Sequence, residues 1–411
     1  IHWRFAADSS IRSSLNLDTT SDGKATLFFA DDLGTVYAIT ANRGLLRWKT
    51  SLRWFPVSIV SGSLAFHEDR LFVPISSFET ALAGSDAYPC CRSHGGVVAL
   101  DATNGETIWD YHTTSQAMAI SETSAGTDVW GPSGAAVWTT PTVDARRGRI
   151  YIGTAQNMSP PATKTSDAVI ALDIETGKRA WLFQALADDI WNVACHLGGA
   201  NCPEKAGPDF DFGGAITLTR NASGKDVIVA GQKSGHVYVL DPDDKGSVLW
   251  QQRLSMGTSN GGIHWGVAAN DETVWAAVAD PPRRREGYVP RPGVYALDLS
   301  DGKPRWSLPV ERGCEFDPAN TPRVGLAEML ESGPANPWPE CSFYYGHSAA
   351  PLHANGVLYA GALDGKLRIL DAESGKVLRI IDTKQGYAAD NGIEGHGGAI
   401  DLSGVVVDGR R

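Results

Sequence analysis

The chain has 411 residues, a formal net charge of −11 at pH 7, 42% hydrophobic residues and 20% charged residues. This composition is ordinary for a globular protein, and the acidic balance argues against nucleic acid as a partner. No apolar run approaches the length of a membrane-spanning helix. A chain of this length would by default hold more than one domain, so its organisation depends on the internal repeats described next.

One sequence unit recurs six times along the chain. Each copy is a short run of alternating apolar residues, which predicts a half-buried strand, followed by a turn around Gly and, in five copies, by Trp. In the last copy Arg379 takes the place of Trp. A unit that returns at such intervals predicts an array of equal modules. The copies begin at Val36, Val97, Val169, Val237, Val294 and Leu367.

Modules of about four strands cannot bury their faces alone, so we expect radial stacking into an all-β propeller that occupies 1–411 as a single domain. The alternative is a β-helix or another solenoid, whose repeats are usually shorter. The chain begins within a copy at Trp3 and Phe5 and ends within an incomplete copy at Val405–Gly409. We therefore expect a ring that is incomplete at both ends, with about six modules present.

The six cysteines form three local pairs, namely Cys90 with Cys91, Cys195 with Cys202, and Cys314 with Cys341. Local pairs predict disulfides and an oxidising compartment, and the alternative is six reduced, buried thiols. A bridge between the adjacent cysteines requires a strained ring, and such strain persists where it has a use. The alternative is that these two pair elsewhere or stay free. No CxxCH motif is present, so the chain has no attachment site for c-type haem.

Function is expected where the modules differ, because the repeat itself is scaffold. Three connections are too long for hairpins: 76–96, 111–135 and 311–347. Trp138 stands outside the Trp position of the repeat. It is either a core side chain at the start of a strand or a flat surface on which a planar ligand stacks.

Polar side chains follow the ends of several predicted strands. Glu79, Asn157 and Asp189 lie just past strand ends in successive modules, and their oxygen atoms are of the kind that Ca²⁺ prefers. Asp189 follows Asp188, and this pair is either a solvated turn or a costly buried charge that needs a cation or a donor. Lys233 lies at a tight turn and is either solvated or directed at an anionic ligand.

Several runs together resemble the quinoprotein alcohol dehydrogenases, which depend on pyrroloquinoline quinone (PQQ). Within that family the resemblance is strongest to the polyvinyl-alcohol dehydrogenases, and it spans nearly the whole chain. The runs that carry it are Tyr88–Asp101, Trp130–Trp138, Thr165–Ala168, Asp189–Cys195 and Gly361–Arg368.

This resemblance implies an eight-bladed propeller of the bacterial periplasm and gives roles to the residues noted above. Asp189 would be the catalytic base, and Lys233 would donate to the quinone. Trp138 would stack on one face of PQQ and a Cys90–Cys91 disulfide on the other. His94 stands near the place where the family has an Arg that contacts a PQQ carboxylate. Glu79, Asn157 and Asp189 would hold Ca²⁺, with Gln156 as the alternative to Asn157.

The activity implied is oxidation of secondary alcohol groups, in polyvinyl alcohol or a similar substrate, to ketones by hydride transfer to PQQ. Electrons would then pass to cytochrome c. The alternative is a non-enzymatic propeller that shares the repeat and binds partner proteins in outer-membrane assembly. That role gives no reason for the adjacent cysteines, Trp138, Lys233 and Asp189 to occur together.

Overall fold

The computed structural model describes residues 2–280, 289–310, 346–388, 392–402 and 404–407. The chain divides into two compact units, one formed by Ile1–Leu218 with Asp241–Ser247 and the other by Thr219–Leu240 with Val248–Arg411. The single domain over 1–411 stays a prediction. In the described residues, no helix is long and apolar enough to cross a membrane.

Three antiparallel sheets and one hairpin make up most of the first unit. The first sheet is β1 (Asn16–Thr19), β2 (Ala25–Ala30), β3 (Thr35–Thr40) and β4 (Leu46–Ser51). The second is β5 (Ser58–Ile59), β6 (Ala65–His67), β7 (Arg70–Ser77), β8 (Gly96–Asp101) and β9 (Thr107–His112), in which β5 and β6 both pair with β7. The hairpin β10 (Met118–Glu122) and β11 (Asp128–Gly131) follows. The third sheet is β12 (Thr142–Asp144), β13 (Arg149–Gly153), β14 (Ala168–Asp173) and β15 (Arg179–Gln184).

Three further four-stranded sheets follow along the chain. They are β16 (Thr217–Arg220), β17 (Asp226–Gly231), β18 (His236–Asp241) and β19 (Ser247–Arg253); β20 (Val267–Ala269), β21 (Thr273–Val278), β22 (Gly293–Asp298) and β23 (Pro304–Pro309); and β24 (Leu352–Ala354), β25 (Val357–Gly361), β26 (Lys366–Asp371) and β27 (Val377–Asp382). A hairpin, β28 (Gly386–Ala388) and β29 (Glu394–His396), comes last. Two short helices, α1 (Glu79–Leu82) and α2 (Ala194–Leu197), lie in connections.

Six sheets correspond to the six predicted modules, and the all-β prediction is confirmed. The apolar run of each copy is the third strand of its sheet, with side chains such as Val98, Ile170 and Val239 fully or almost fully buried. Buried clusters join neighbouring sheets: Phe28 and Val98 belong to one such cluster, and Val97 and Ile170 to another. The cores therefore lie between modules, as the stacking argument requires.

The repeated Trp packs on the next module, as the sequence predicts. Trp109 donates from Nε1 to Ile174 O at 2.9 Å, and a Cβ placed on Gly177 would lie 2.5 Å from its ring. Gly177 also has a φ of +66°, which favours glycine. The turn glycine is thus needed both for its backbone conformation and for close approach of the ring. The same donor and acceptor relation links Trp48 to Ala102, Trp250 to Leu299 and Trp306 to Ala372.

We expect Gly177→Ala to destabilise the protein more than Gly126→Ala. Both glycines have positive φ, so each substitution carries about 1–2 kcal/mol of backbone strain. Only Gly177 lies against a Trp ring, because nothing lies within 4 Å of a Cβ on Gly126. Displacement of that ring adds about 1–3 kcal/mol. Urea unfolding of the two variants measures the difference, and equal midpoints would contradict the docking role of Gly177.

Candidate functional site

Isolated β-bridges join four connections of the first unit at the ends of its strands. His94 pairs with Gly134, Gly134 with Asn157, and Asn157 with Ile190. Bridged residues have Cα atoms about 5 Å apart. Asn157 N donates to Asp189 O at 3.0 Å. The fold therefore brings three of the predicted site residues, His94, Asn157 and Asp189, onto one strand-end ladder.

Asp189 is a buried carboxylate held by backbone amides. Its Oδ1 accepts from Asp209 N at 3.2 Å and its Oδ2 from Phe210 N at 2.9 Å. A Cβ on Gly207 would lie 2.0 Å from Oδ1, so the chain at Gly207 also fixes this side chain. Asp188 is exposed. The prediction of a solvated side chain is thus confirmed for Asp188 and is wrong for Asp189.

Three further buried aspartates, which sequence reasoning missed, surround Asp189. Asp167 is fully buried, and its two carboxylate oxygens accept no hydrogen bond. Burial first, and then the charges of Asp189, Asp211 and Asp209, raise the pKa of Asp167 well above its ordinary value. These residues are distant in sequence, so no local motif predicts the group. A proton or a cation at this point would relieve the concentration of negative charge.

Asn157 and Gln156 are both fixed by hydrogen bonds. Asn157 Oδ1 accepts from Thr163 N at 2.8 Å, and its Nδ2 donates to Ser133 O at 2.8 Å. Gln156 Nε2 donates to Trp191 O at 3.1 Å. The Asn157 amide thus joins two loops of the site, and its role as a metal ligand stays a prediction.

Glu79 lies at the start of α1 and is also buried. Its Oε1 accepts from Tyr88 Oη at 3.0 Å and from Arg92 N at 2.9 Å, and its Oε2 accepts from Ser93 N at 2.6 Å and from Ser93 Oγ. This carboxylate therefore fixes the chain that follows the cysteine pair. In the described part of the chain, no three or more His, Cys, Asp or Glu side chains are grouped so that they could hold a metal ion.

The Cys90–Cys91 disulfide is formed, across a cis peptide. This confirms a bridge between the adjacent cysteines, and the alternative that they pair elsewhere or stay free is wrong. Both cysteines are buried against Ala83 and Met158. Asn192 Nδ2 lies 4.0 Å from Cys90 Sγ and donates to Met158 O at 3.0 Å. The Cys195–Cys202 disulfide is also formed. Cys314 and Cys341 lie outside the described residues.

Trp138 lies beside this ladder with its side chain only half-buried. The preceding residue, Val137, is buried in the core between modules, and its backbone N donates to Ile75 O at 3.0 Å. Trp138 itself is more exposed than Val137, and its role in stacking stays a prediction.

The His94 ring lies in a cluster of aromatic and histidine rings. Its Nε2 lies 2.7 Å from His112 Nδ1, and the rings of Trp54 and Phe55 pack beside it. Burial, and then the neighbouring His112, lower the pKa of His94 to about 4. His94 is therefore neutral at pH 7.

Lys233 belongs to the second unit and is 6% exposed, so a solvated turn is the wrong alternative for it. It lies between β17 and β18, and its backbone O accepts from Thr258 N at 3.3 Å. A Cβ on Gly262 would lie 2.0 Å from Lys233 O, and Gly262 begins a second series of bridges, to Ala279 and then to Gly346. Lys233 is thus a buried lysine beside a strand-end ladder of its own unit.

His347, next to that second ladder, is expected to make stability depend on pH. Burial, and then Arg368, lower the pKa of His347 to about 4 from 6.5. Its contribution is therefore complete above pH 6.5 and is lost as the pH falls towards 4, a loss of about 3 kcal/mol. Urea unfolding at pH 7 and pH 4.5 should show a smaller loss for His347→Leu than for the wild type. Equal losses would contradict the assignment.

Comparison with known proteins agrees with these features. Residues 80–251 match the family described as glucose/ethanol/alcohol dehydrogenase, beta-propeller domain, and residues 233–390 match the family of outer membrane protein assembly factor BamB. The chain is 36% identical to a polyvinylalcohol dehydrogenase of a Pseudomonas species and 34% identical to one of a Sphingopyxis species. Each comparison covers 100% of this chain and 61% of the relative, so the chain spans under two thirds of their length.

A solved structure of quinohemoprotein alcohol dehydrogenase from Comamonas testosteroni superposes with a TM-score of 0.56. The two sequences are 16% identical, and the match covers 94% of this chain and 61% of the other. At this identity the likeness shows the fold, a β-propeller. In sequence and in fold, the chain is thus similar to PQQ-dependent alcohol dehydrogenases.

Proposed function

We propose that the protein oxidises secondary alcohol groups, in polyvinyl alcohol or a similar substrate, to ketones, with PQQ as the hydride acceptor. The observation that carries this proposal is the buried Asp189 carboxylate, fixed on the strand-end ladder of a chain that is 36% identical to a polyvinylalcohol dehydrogenase. When bound, the quinone supplies the oxidising power, and the protein binds, orients and deprotonates the alcohol.

Several side chains have properties that suit a planar, anionic quinone. Trp138, a half-buried aromatic residue, is the proposed surface for one face, and the Cys90–Cys91 disulfide is the proposed surface for the opposite face. Lys233 is a buried cation of the kind that polarises a carbonyl oxygen. These features support PQQ as the cofactor.

We propose a divalent cation beside the cofactor because of the concentration of negative charge around Asp189, although the described acidic side chains do not form a ready group of three ligands. Glu79, Asn157 and Asp189 were predicted as ligands, but all three have oxygens that already accept hydrogen bonds from protein groups. We therefore add Asp167, whose oxygens accept none, to the proposed set. Calcium would complete its shell with amide, carbonyl or water oxygens.

Asp189 is the proposed general base. The amides of Asp209 and Phe210 hold the carboxylate in one orientation. Removal of the hydroxyl proton of the alcohol raises the tendency of the carbinol carbon to give up hydride.

We also propose a periplasmic or secreted location and cytochrome c as the electron acceptor. Two disulfides support an oxidising compartment. The cytochrome follows from the family alone, since quinones of this class are reoxidised by one-electron carriers. The second candidate function is a protein-binding scaffold, which the match of residues 233–390 to the assembly-factor family favours.

Dye-linked alcohol oxidation by the purified protein tests the proposed function. We expect activity on secondary alcohols only after both PQQ and Ca²⁺ are added. A scaffold protein would bind neither and would show no turnover. Absence of turnover on every secondary alcohol, with PQQ and Ca²⁺ present, would overturn the enzyme proposal.

Asp167→Asn is expected to abolish stabilisation of the protein by Ca²⁺. At a Ca²⁺ concentration of 100 times Kd, binding to the native state adds about 2.7 kcal/mol, which appears as a rise in Tm. The variant removes the charge of a carboxylate whose oxygens have no other partner. The control is Asp188→Asn, an exposed neighbour of the group, which should keep the rise. A full rise in Asp167→Asn would remove this residue from the set.

A further inference from the structure

We propose that the Cys195–Cys202 disulfide positions the proposed base, Asp189, and that oxidation of this cysteine pair is needed for full activity. The disulfide lies in the α2 loop (190–207), which begins directly after Asp189 and returns to the strand-end ladder at Gly207. The inference rests on the proposed function and deepens it, since it names residues that act on the base without touching a substrate. All of these residues belong to the first unit.

Both ends of the α2 loop are bonded to the ladder that carries Asp189. At the start of the loop, Ile190 is bridged to Asn157, and Trp191 N donates to Asn157 O at 2.8 Å. At its end, Gly207 N donates to Ile190 O at 2.9 Å. The loop thus leaves the site and re-enters it at one point.

The segment that follows the α2 loop supplies the groups that hold the base. Asp209 N and Phe210 N donate to the two carboxylate oxygens of Asp189. Beyond these amides, Phe212 N donates to Thr154 O at 3.2 Å, which fixes the far side of the segment. The near side is fixed by the return of the α2 loop, so order in this loop affects the orientation of the carboxylate.

Two buried asparagine side chains anchor the α2 loop. Asn192 Nδ2 donates to Met158 O at 3.0 Å and to Asn201 O at 2.9 Å. Asn201 Nδ2 lies 2.9–3.1 Å from three backbone carbonyl oxygens of the chain before the adjacent cysteines, those of Ala83, Ser85 and Tyr88. These bonds fix one point in each half of the loop.

The disulfide joins the two halves of the loop beside these anchors. Cys195 lies three residues after Asn192, and Cys202 directly follows Asn201. The helix within the loop, α2, is a single turn, so regular structure contributes little to its order. A cross-link lowers the entropy of the loosened loop and so raises the population of the ordered one. The disulfide therefore favours the arrangement in which the following amides meet the base.

The adjacent cysteines are held by other contacts, so loss of the Cys195–Cys202 bridge should affect the base more than the proposed cofactor surface. Trp130 N donates to Cys90 O at 2.8 Å, and Cys91 N donates to Trp130 O at 3.3 Å. Glu79 fixes the chain directly after the pair. None of these contacts involves the α2 loop. We therefore expect a change in kcat and little change in the affinity for PQQ.

The two disulfides differ in their accessibility to a small thiol. Cys195 and Cys202 are half-buried, whereas Cys90 and Cys91 are buried. Attack by a thiol therefore favours the Cys195–Cys202 bridge. Two thiols supply two electrons and two protons: the S–S bond breaks, two cysteine thiols form, and the reagent becomes a disulfide. The reverse exchange, with a small-molecule disulfide as oxidant, restores the bridge and with it the activity.

The double variant Cys195→Ser, Cys202→Ser tests the positioning role. We expect its kcat for a secondary alcohol to fall by about 10–10²-fold, because a misplaced base slows the chemical step. KM and the affinity for PQQ should stay within about a factor of two of wild type. The matched control is Gly177→Ala, which lowers stability at a module interface and should keep wild-type kcat. A wild-type kcat in the double variant, or an equal loss in the control, would overturn the inference.

Amide hydrogen exchange without turnover separates failure of this inference from failure of the proposed function. The amides of Asp209 and Phe210 should exchange faster in the double variant, because the loop before them is less ordered. The amides of β3, in the same unit, should exchange as in the wild type. Unchanged exchange at Asp209 and Phe210 would overturn the positioning role even in an active enzyme.

Selective reduction of the folded wild type tests the same role without a substitution. The thiol concentration is set so that alkylation and mass spectrometry find Cys195 and Cys202 modified and Cys90 and Cys91 intact. We expect kcat to fall to the level of the double variant and to recover when oxidised glutathione is added. Full activity of the selectively reduced protein would contradict the proposed dependence on oxidation.

Discussion

Asp189→Asn is expected to lower the rate of alcohol oxidation by about 10²–10⁴-fold, the range that a general base contributes. The amide keeps the shape of the carboxylate but only one acceptor oxygen, so one of the two contacts with Asp209 N and Phe210 N is retained. The lost property is the ability to take the hydroxyl proton. The measurement is kcat with PQQ and Ca²⁺ at saturation, together with a circular dichroism spectrum to check the fold.

The control for this prediction is Asp188→Asn, one residue away and exposed. It changes the net charge by the same amount and should leave kcat within a factor of two or so, as a surface change does. If Asp189→Asn keeps wild-type activity, another group is the base, and Asp167 is the next candidate in the same buried cluster.

Lys233→Met is expected to lower kcat by about 10²–10³-fold, the effect of removing one donor to a developing negative charge. Met keeps the length and apolar stem of the side chain, so the packing of the buried turn is preserved. Lys376→Met, at an exposed position of the second unit, is the control and should be silent. Binding of PQQ to both variants, followed by absorbance, separates loss of cofactor from loss of rate. Unchanged kcat in Lys233→Met would remove the lysine from the chemistry.

The modules could be predicted from the sequence because the residues that form each strand and its turn are adjacent in the chain. An apolar run such as that of β14 (Ala168–Asp173) predicts a strand, and the Gly177 turn with Trp181 ends it locally. The predicted half-burial is wrong, because this strand is buried on both faces. The sheets found in the described residues therefore coincide with the repeats. The predicted local pairing of Cys195 with Cys202 and of Cys90 with Cys91 is confirmed, and for the adjacent cysteines the sequence had left pairing elsewhere open.

The candidate site was only partly predictable, because the loops that form it are distant in sequence. Asp189 could be singled out beside Asp188, but its burial depends on the amides of a loop twenty residues later. Asp167, Asp209 and Asp211 gave no local signal. Likewise, the sequence around His112 predicts only a strand, and the contact of His112 with His94 is known from the fold alone.

Glu79 also shows that the sequence alone does not predict which polar groups are available to bind a metal. The sequence places a carboxylate at a strand end, which is typical of a metal ligand. The structure shows that this carboxylate accepts from the amides of Arg92 and Ser93 and so fixes the loop after the cysteine pair. Residue type and position predict which groups are available, and only the fold shows which of them are already used.

Anaerobic titration with PQQ in the presence of Ca²⁺ tests the central claim most directly. The absorbance of the bound quinone is followed to saturation, and a secondary diol is then added without any electron acceptor. We expect one PQQ to bind per chain and the diol to reduce it stoichiometrically, with reduction greatly slowed in Asp189→Asn. Failure of the chain to bind PQQ, or a bound quinone that stays oxidised in excess diol, would contradict the account.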